Sequence, residues 1–385
     1  MNYFNEIIKL DPVNHYIVFT ASDLKLLKKN ISLTDISTLE EKLAYLLDEP
    51  YYNVMMKKRG LVRHINRHNY VSLATYYHPN PDTPDGLPYI QKDGYSNSEG
   101  EKYDKDKLRN TAFICYYELL LYYLTENLKY YEDAKKRMLT FFVDTKTRML
   151  PNMNHGQMIK GVNDGRGIGI IDFSANFTYP LILLESLSEL GKIEGKFYSQ
   201  IKKWLRSFLN WVEYSDIALQ ERDAKNNHGI MFDFLKLVLY RIFKFENEKK
   251  ALVYSFIDQR LTISFDKDGS MPLELKRTKS KSYSLMGFKA IYDFAHLVPE
   301  YNLYDLSWYY RNVNFSIKNG FQFLLKNLVI KENWPYEQVV SFDKATLVPL
   351  VVEAKRLFTE YETLQLPVCG IIDDVIIIIG KALIK

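Results

Sequence analysis

Apolar residues recur at three- and four-residue steps through most of this chain, and that period constrains its fold more than any other feature. Leu108, Ala112, Cys115, Leu119 and Tyr122 follow it, as do Ala134, Met138, Phe141 and Phe142. The same steps join Ile201, Leu205, Phe208 and Val212, then Met286, Ala290, Phe294 and Leu297, then Phe321, Leu325 and Leu328. Side chains so spaced share one face of an α-helix, which turns about 100° per residue. Weaker helical patterns cover 22–31, 38–48, 170–190, 228–245, 247–262, 303–313, 346–361 and 370–384. The sum is about a dozen helices with no strand alternation between them, a run that packs as a bundle, a superhelix or a toroid of helical hairpins. No repeat of about 34 or 40 residues marks a solenoid. With only 17 Gly and 13 Pro, the chain favours long regular elements over a turn-rich β architecture.

Three stretches break the period and collect Gly, Pro, Asn and Asp: 63–106, 145–169 and 263–283. Loops longer than about 12–15 residues in a compact protein usually carry function or are disordered. These hold too many aromatic and specific polar residues for disorder, so they are expected to form a site. No Ser/Gly or Pro tract divides the chain, and a single domain over 1–385 is expected, with 1–60 as a helical lead-in.

Hydrophobic residues make up 47% of the chain and charged ones 25%, which excludes disorder, and Lys and Arg exceed Asp and Glu by only 51 − 47 = 4, a weak signature for nucleic-acid binding. The greasiest stretch, Cys369 to Ile379, is broken by Asp373 and Asp374, so no membrane span is expected. The N-terminal sequence has an early acidic residue and no apolar core before a small-residue cleavage site. The expectation is a cytoplasmic protein as written, or a periplasmic or secreted one if a leader has been removed. Two cysteines, Cys115 and Cys369, allow at most one bridge, and Cys115 falls on the apolar side of a helix, where a thiol acts as a small hydrophobe. Aromatic residues are the outlier, with 30 Tyr, 22 Phe and 4 Trp. Tyrosine joins an apolar face to a hydroxyl and suits both core packing and sugar contacts.

Four segments could carry chemistry. Asn226-Asn227-His228-Gly229 sits where one helical pattern ends and another begins. It either caps a helix through an asparagine or aims an amide and an imidazole at one point. The segment from Asp268 to Ser284 places Lys276, Arg277, Lys279, Lys281 and Tyr283 in a loop that ends at a helix start. It is either a solvated basic loop or an anion site. Asn152-Met-Asn-His-Gly-Gln157, followed by Gly161 and Asp164-Gly-Arg166-Gly, is Gly-rich but lacks the Gly-Lys-Ser/Thr ending of a phosphate loop. Residues 75–97 form a Pro-stiffened aromatic loop. The seven histidines show no cluster with cysteine and no pair well placed on a helix face, since His64 and His68 fall in a weakly periodic stretch. No metal site and no cofactor are expected.

Together these segments resemble the alginate lyase superfamily, the polyuronate lyases of (α/α) toroid fold. The resemblance runs from Phe19-Thr-Ala-Ser-Asp-Leu-Lys through Arg67-His-Asn-Tyr-Val-Ser-Leu-Ala-Thr-Tyr-Tyr-His-Pro-Asn-Pro and Asp85-Gly-Leu-Pro-Tyr-Ile to Asn152–Gln157. It continues with Gly165-Arg-Gly-Ile-Gly-Ile-Ile-Asp172, Asn226-Asn-His-Gly, Asp268-Gly-Ser-Met-Pro-Leu-Glu-Leu-Lys-Arg-Thr278 and Trp334-Pro-Tyr. His78 and Asn80 stand where relatives often carry Trp and Asp, and His155 where an aromatic is frequent.

The resemblance implies an all-α (α/α) toroid, an incomplete barrel of helical hairpins with long site-forming loops. It also implies metal-independent β-elimination on an acidic polysaccharide, either alginate or polymannuronate, or glucuronan. Asn227 would neutralise the uronate carboxylate as charge develops there. His228 would be the base or a second neutraliser. Tyr283 would protonate the leaving oxygen and could also act as base, which requires a nearby cation because free Tyr has a pKa of about 10. Arg277 would be that cation or a carboxylate clamp. Residues 63–103 would form a lid, with Tyr76 and Tyr77 stacking on sugars and Arg67 and His68 meeting carboxylates. Gln157 and Arg166 would line subsites, or Arg166 would anchor its loop, while Trp334 and Tyr336 would pack between helices. Two rivals remain. A glycoside hydrolase on the same toroid would draw two carboxylates from Asp85, Asp164, Asp172, Asp223 and Glu274, and a catalytically silent protein would only bind polyuronate. The oligomeric state leaves no mark in this pattern.

Overall fold

The computed structural model describes residues 15–58, 61, 64–310, 315–367 and 374–384. Cys369, and with it any bridge to Cys115, lies outside the described residues, as do the N-terminal stretch and the start of the 370–384 pattern. Cys115 is buried, as its place in the helical period implies, and has no disulfide partner among the described residues. The chain forms two compact units, one from the segment up to Lys42 together with Lys225 onward, the other from Leu43–Ala224.

The first unit begins with α1 (Ala21–Asn30), started by a capping box: Thr20 accepts from the Asp23 amide while the Asp23 carboxylate accepts from that of Thr20. The motif at Phe19–Lys25 is therefore a helix start. After α2 (Leu33–Leu43) the chain enters the second unit.

That unit is built on a hairpin of α3 (Lys105–Thr125) and α4 (Leu128–Phe142). Glu126 takes the left-handed conformation at the close of α3, and Asn127 caps α4. Nearly every residue of α3 after its first turn is buried, which makes it the central helix. α5 (Thr178–Glu189) packs on α3, and the amphipathic α6 (Gly195–Tyr214) on α4. Much of the aromatic excess is spent here: the rings of Phe142, Phe173, Phe177, Trp204 and Phe208 meet with centroids 4.5 to 6.3 Å apart. A short α7 (Asp216–Arg222), capped by Ser215, closes the unit.

Arg137 is the largest fully buried side chain of this unit. Its guanidinium donates to Asp133 at 2.5 Å and to the carbonyls of Pro50, Leu46 and Glu49 at 2.8, 2.9 and 3.0 Å, with Glu118 at 3.6 Å. It thus pins the 46–50 turn to the α3–α4 hairpin. Removing the cation alone strands Glu118 and three carbonyls, so Arg137→Met is expected to cost about 3–5 kcal/mol. Urea unfolding checks this, and a loss below about 1 kcal/mol would be that of an ordinary surface ion pair.

The first unit resumes with α8 (Asn227–Phe243), α9 (Glu246–Phe256), α10 (Ser280–His296), α11 (Ile317–Leu324), α12 (Val348–Leu357) and α13 (Asp374–Leu383). α8 and α10 pack side by side, and α13 lies on α12 and α1, where Asn30 donates to the Ala382 carbonyl at 2.9 Å. His296 joins α10 to α1 and α12 by bonding Asp23 at 2.7 Å and Glu353 at 3.3 Å. Burial opposes its charge, but the two carboxylates prevail and lift the imidazole to about 10.

Two expectations change. The 303–313 pattern yields one 3-10 turn, Leu306–Trp308, because Asn302 is left-handed and Asp305 caps that turn. Tyr309 and Tyr310 instead donate to Asp258 at 3.1 and 2.6 Å; residues 311–314 lie outside the described set. The loops also hold two short ladders. β1 (Val71–Leu73) runs parallel to β4 (His155–Met158), and β2 (Tyr77–His78) antiparallel to β3 (Ile90–Gln91). Strands of two to four residues are too short for alternation to register. No single helix among the described residues is long and apolar enough to cross a membrane.

Candidate active site

In the first unit the helix-start motif does two things at adjacent residues. Asn226 is the cap of α8, its side-chain oxygen accepting from the His228 amide at 3.3 Å. Asn227, the first helical residue, is fully buried, and neither atom of its side-chain amide has a hydrogen-bond partner among the described residues. Its backbone N–H donates to Glu274 Oε1 at 2.7 Å. The opposing helix comes this close because residue 287 is glycine: a Cβ there would sit 3.3 Å from that of Asn227 and 3.1 Å from Met271 Cε.

Glu274 rides on a single helical turn, Pro272–Leu275, and is 1% exposed, with its second oxygen unpartnered among the described residues. Burial pushes its carboxyl up to about 7, although the Asn227 amide, His228 and Arg277 all act to lower it. Tyr283 stands one turn before Gly287 on the same face of α10, and the Arg277 guanidinium lies 4.2 Å from its ring centroid. Asn227, His228, Arg277 and Tyr283 are thus brought together around Glu274. Ser270, Met271, Glu274 and Tyr283 are buried, so this stretch is no solvated basic loop.

The α10 N-terminus that carries Tyr283 is itself held. Trp334 Nε1 donates to Ser280 Oγ at 2.8 Å, Gln338 Oε1 accepts from the amides of Lys281 and Ser282 at 3.0 and 3.4 Å, and Val339 N–H bonds the Thr278 carbonyl at 2.9 Å. Trp334 meets the rings of Phe323 and Tyr336 edge to face, but Tyr336 is exposed and not packed between helices as expected, because the 331–343 stretch forms no helix.

Glu274 makes stability depend on pH. Its folded value lies above the ordinary 4.5, so the unfolded chain ionises first as pH rises. Folding loses stability between about pH 4.5 and 7 and no more above that window. Glu274→Gln keeps an oxygen for the Asn227 amide and removes the ionisation. It is expected to gain on the parent by up to about 3 kcal/mol across that window. Chemical denaturation at pH 5 and pH 8 measures this, and a constant difference would contradict it.

The second unit holds the subsite candidates. Gln157, in β4, takes a left-handed φ of 49°, and the β1–β4 register shifts between Val71 and Leu73. Its backbone N–H donates to Ser72 Oγ at 2.7 Å and its Nε2 to Asp172 Oδ1 at 3.1 Å. Arg166 donates to the Gln157 carbonyl at 2.9 Å and lies over the Tyr77 ring at 5.2 Å. Tyr76 and Tyr77 are half-buried on the 75–97 loop, which is ordered around a cluster of Ile65, Val71, Leu73, Tyr89, Tyr103 and Met158. Arg67 and His68 are not gathered with these residues. Arg67 donates to the Met55 carbonyl at 2.6 Å, and His68 Nδ1 bonds the Arg148 carbonyl at 2.7 Å, so both tie loop to loop.

Sequence reading named Glu274 and Asp172 only as carboxylates for a rival hydrolase. Their signal was a carboxylate embedded among apolar residues, Met-Pro-Leu-Glu274-Leu and Ile-Gly-Ile-Ile-Asp172-Phe, which marks burial rather than a solvated face. Asp85, Asp164 and Asp223 are exposed. No group of three or more His, Cys, Asp or Glu among the described residues is arranged to hold a metal ion.

The alginate lyase family model matches residues 53–334. A search of curated proteins finds no match. An alginate lyase from Bacteroides ovatus, solved by crystallography, is 26% identical, with a TM-score of 0.85 over 94% of this chain and 99% of that one. Alginate lyase A1-III complexed with a tetrasaccharide is 12% identical, with a TM-score of 0.54 over 97% of this chain and 96% of that one. The same enzyme from Sphingomonas species A1 is 13% identical, with a TM-score of 0.50 over 95% and 94%. The fold class expected from the sequence, the all-α (α/α) toroid, is the one these enzymes share. With its family model matched over most of its length, the chain belongs to the alginate lyase family and is a polysaccharide lyase acting on an acidic polysaccharide.

Proposed function

We propose that this chain cleaves a 4-linked polyuronate, either alginate or its polymannuronate blocks, or glucuronan, by β-elimination without a metal. The observation that carries this reading is the buried, unpartnered amide of Asn227 beside Tyr283 with its stacked guanidinium. An orphaned buried amide costs about 1–3 kcal/mol and needs a reason. Charge developing on a substrate carboxylate supplies one, since donors fixed in a water-poor site stabilise such charge without reorganising.

In this mechanism the C5–H bond of the uronate breaks and the proton passes to His228 or Tyr283. The electron pair forms the C4–C5 double bond, the C4–O4 bond breaks, and O4 takes a proton from Tyr283. Asn227 and Arg277 face the carboxylate as negative charge moves onto it. Glu274 holds the Asn227 backbone, and with it the amide. Tyr76, Tyr77, Gln157 and Arg166 bind sugars of the polymer, the rings by stacking and the carboxylates by charge.

The test follows ultraviolet absorbance with polymannuronate, polyguluronate, mixed alginate and glucuronan, because only the conjugated unsaturated product absorbs strongly. A rise with one polymer, unchanged by a chelator, supports the reading and names the substrate. Reducing ends released without a rise would contradict it, and activity lost to chelation and restored by one metal would revise the mechanism.

A further inference from the structure

The second unit contains one buried carboxylate onto which four side chains from three separate segments converge. Asp172 is 3% exposed. Its Oδ2 accepts from Ser72 Oγ at 2.6 Å and Tyr70 Oη at 3.0 Å, its Oδ1 accepts from Gln157 Nε2 at 3.1 Å, and Lys105 Nζ stands 3.6 Å from Oδ1. Both oxygens are occupied, so this group has no room left to act on substrate. Its effect is on its neighbours.

Two paths lead outward. Fixing Gln157 Nε2 on the carboxylate turns Gln157 Oε1 toward Arg166 Nη2 at 3.5 Å, and the Gln157 carbonyl accepts from Arg166 Nε at 2.9 Å. Arg166 is thereby held over the Tyr77 ring. The left-handed backbone at Gln157, unfavourable by about 1–2 kcal/mol for a residue with a Cβ, persists because Ser72 and Asp172 hold both its amides. On the second path, Lys105 donates to Thr75 Oγ1 at 2.8 Å, immediately before Tyr76 and Tyr77.

We infer that Asp172 is the positioning residue of the subsites: through Gln157 and Lys105 it sets the placement of Arg166, Tyr76 and Tyr77. The inference rests on the reading that Gln157 and Arg166 bind the polymer. It explains why a hydrolytic acid or base would be a poor use of this carboxylate: the donors around it occupy both its oxygens.

In Asp172→Asn one oxygen remains for Ser72 or Tyr70, but an N–H donor now faces the Gln157 donor. Gln157 must turn its amide over, which takes its Oε1 away from Arg166 Nη2 and leaves Arg166 held only by the Gln157 carbonyl. The expected result is KM, and polymer affinity by affinity electrophoresis, weakened about tenfold while kcat stays within about threefold. Arg166→Ala and Gln157→Ala are measured alongside. If they weaken binding and Asp172→Asn does not, the inference is overturned while the subsite reading stands. If none of the three changes binding, both fall. A loss of kcat alone in Asp172→Asn would place the residue in the chemistry and overturn its positioning role. Should Asp172→Asn fail to fold, Lys105→Met cuts only the path to Thr75. It is expected to raise KM about threefold, and an unchanged KM would overturn the inference.

Discussion

Tyr283→Phe is expected to lower kcat by about two to four orders of magnitude with little change in KM, the usual worth of a proton donor or acceptor in the transition state. The substitution removes one oxygen and nothing else. The ring remains on α10, one turn from Gly287, with the Arg277 guanidinium against its face at 4.2 Å. The anchor of that helix start also remains, because Trp334 and Gln338 bond Ser280, Lys281 and Ser282 rather than Tyr283. Loss of rate with a retained melting temperature therefore belongs to the proton transfer. Turnover within threefold of the parent would remove Tyr283 from the chemistry and leave His228 to serve both steps.

Asn227→Ala is expected to reduce kcat by about a hundred- to a thousandfold, the range for deleting one preorganised donor to a developing anion. Its effect on stability should run the other way. The amide atoms of Asn227 are buried without partners, so the folded chain already bears their desolvation, and alanine removes that burden in exchange for a small void. The bond from the backbone N–H of residue 227 to Glu274 survives the change. Thermal unfolding is expected to show a midpoint no lower than the parent's. A large loss of stability together with the loss of rate would mean that the amide holds the fold together, and the reading of it as a waiting donor would fail.

How much of this was legible in the sequence follows from what each residue must satisfy. The helices were, because a buried stripe must repeat at the helical period whatever lies opposite: Ile201, Leu205, Phe208 and Val212 mark the buried face of α6. The close placing of Asn227, Arg277 and Tyr283 was reached through resemblance to a family, since three residues spread over fifty-seven positions share no local pattern. Whether Asn226 or Asn227 caps the helix stayed open, because the two choices differ by one residue and each suits the same side-chain chemistry. Glu274 and Asp172 were seen only as spare acids. Their roles depend on burial and on partners far away in sequence, such as Tyr70 and Ser72 for Asp172. Arg67 and His68 looked like anion ligands because their charge is visible in the sequence, whereas the backbone carbonyls that engage them are not.

The most direct test of the central claim is mass spectrometry of the oligomers released from the polymer that gives the absorbance rise. Elimination breaks C4–O4 without adding water, so every new non-reducing end is expected to carry a double bond, and each fragment with such an end to be lighter by one water than its hydrolytic counterpart. Saturated fragments of full hydrolytic mass beyond the one that the original non-reducing end of each chain contributes would contradict the account.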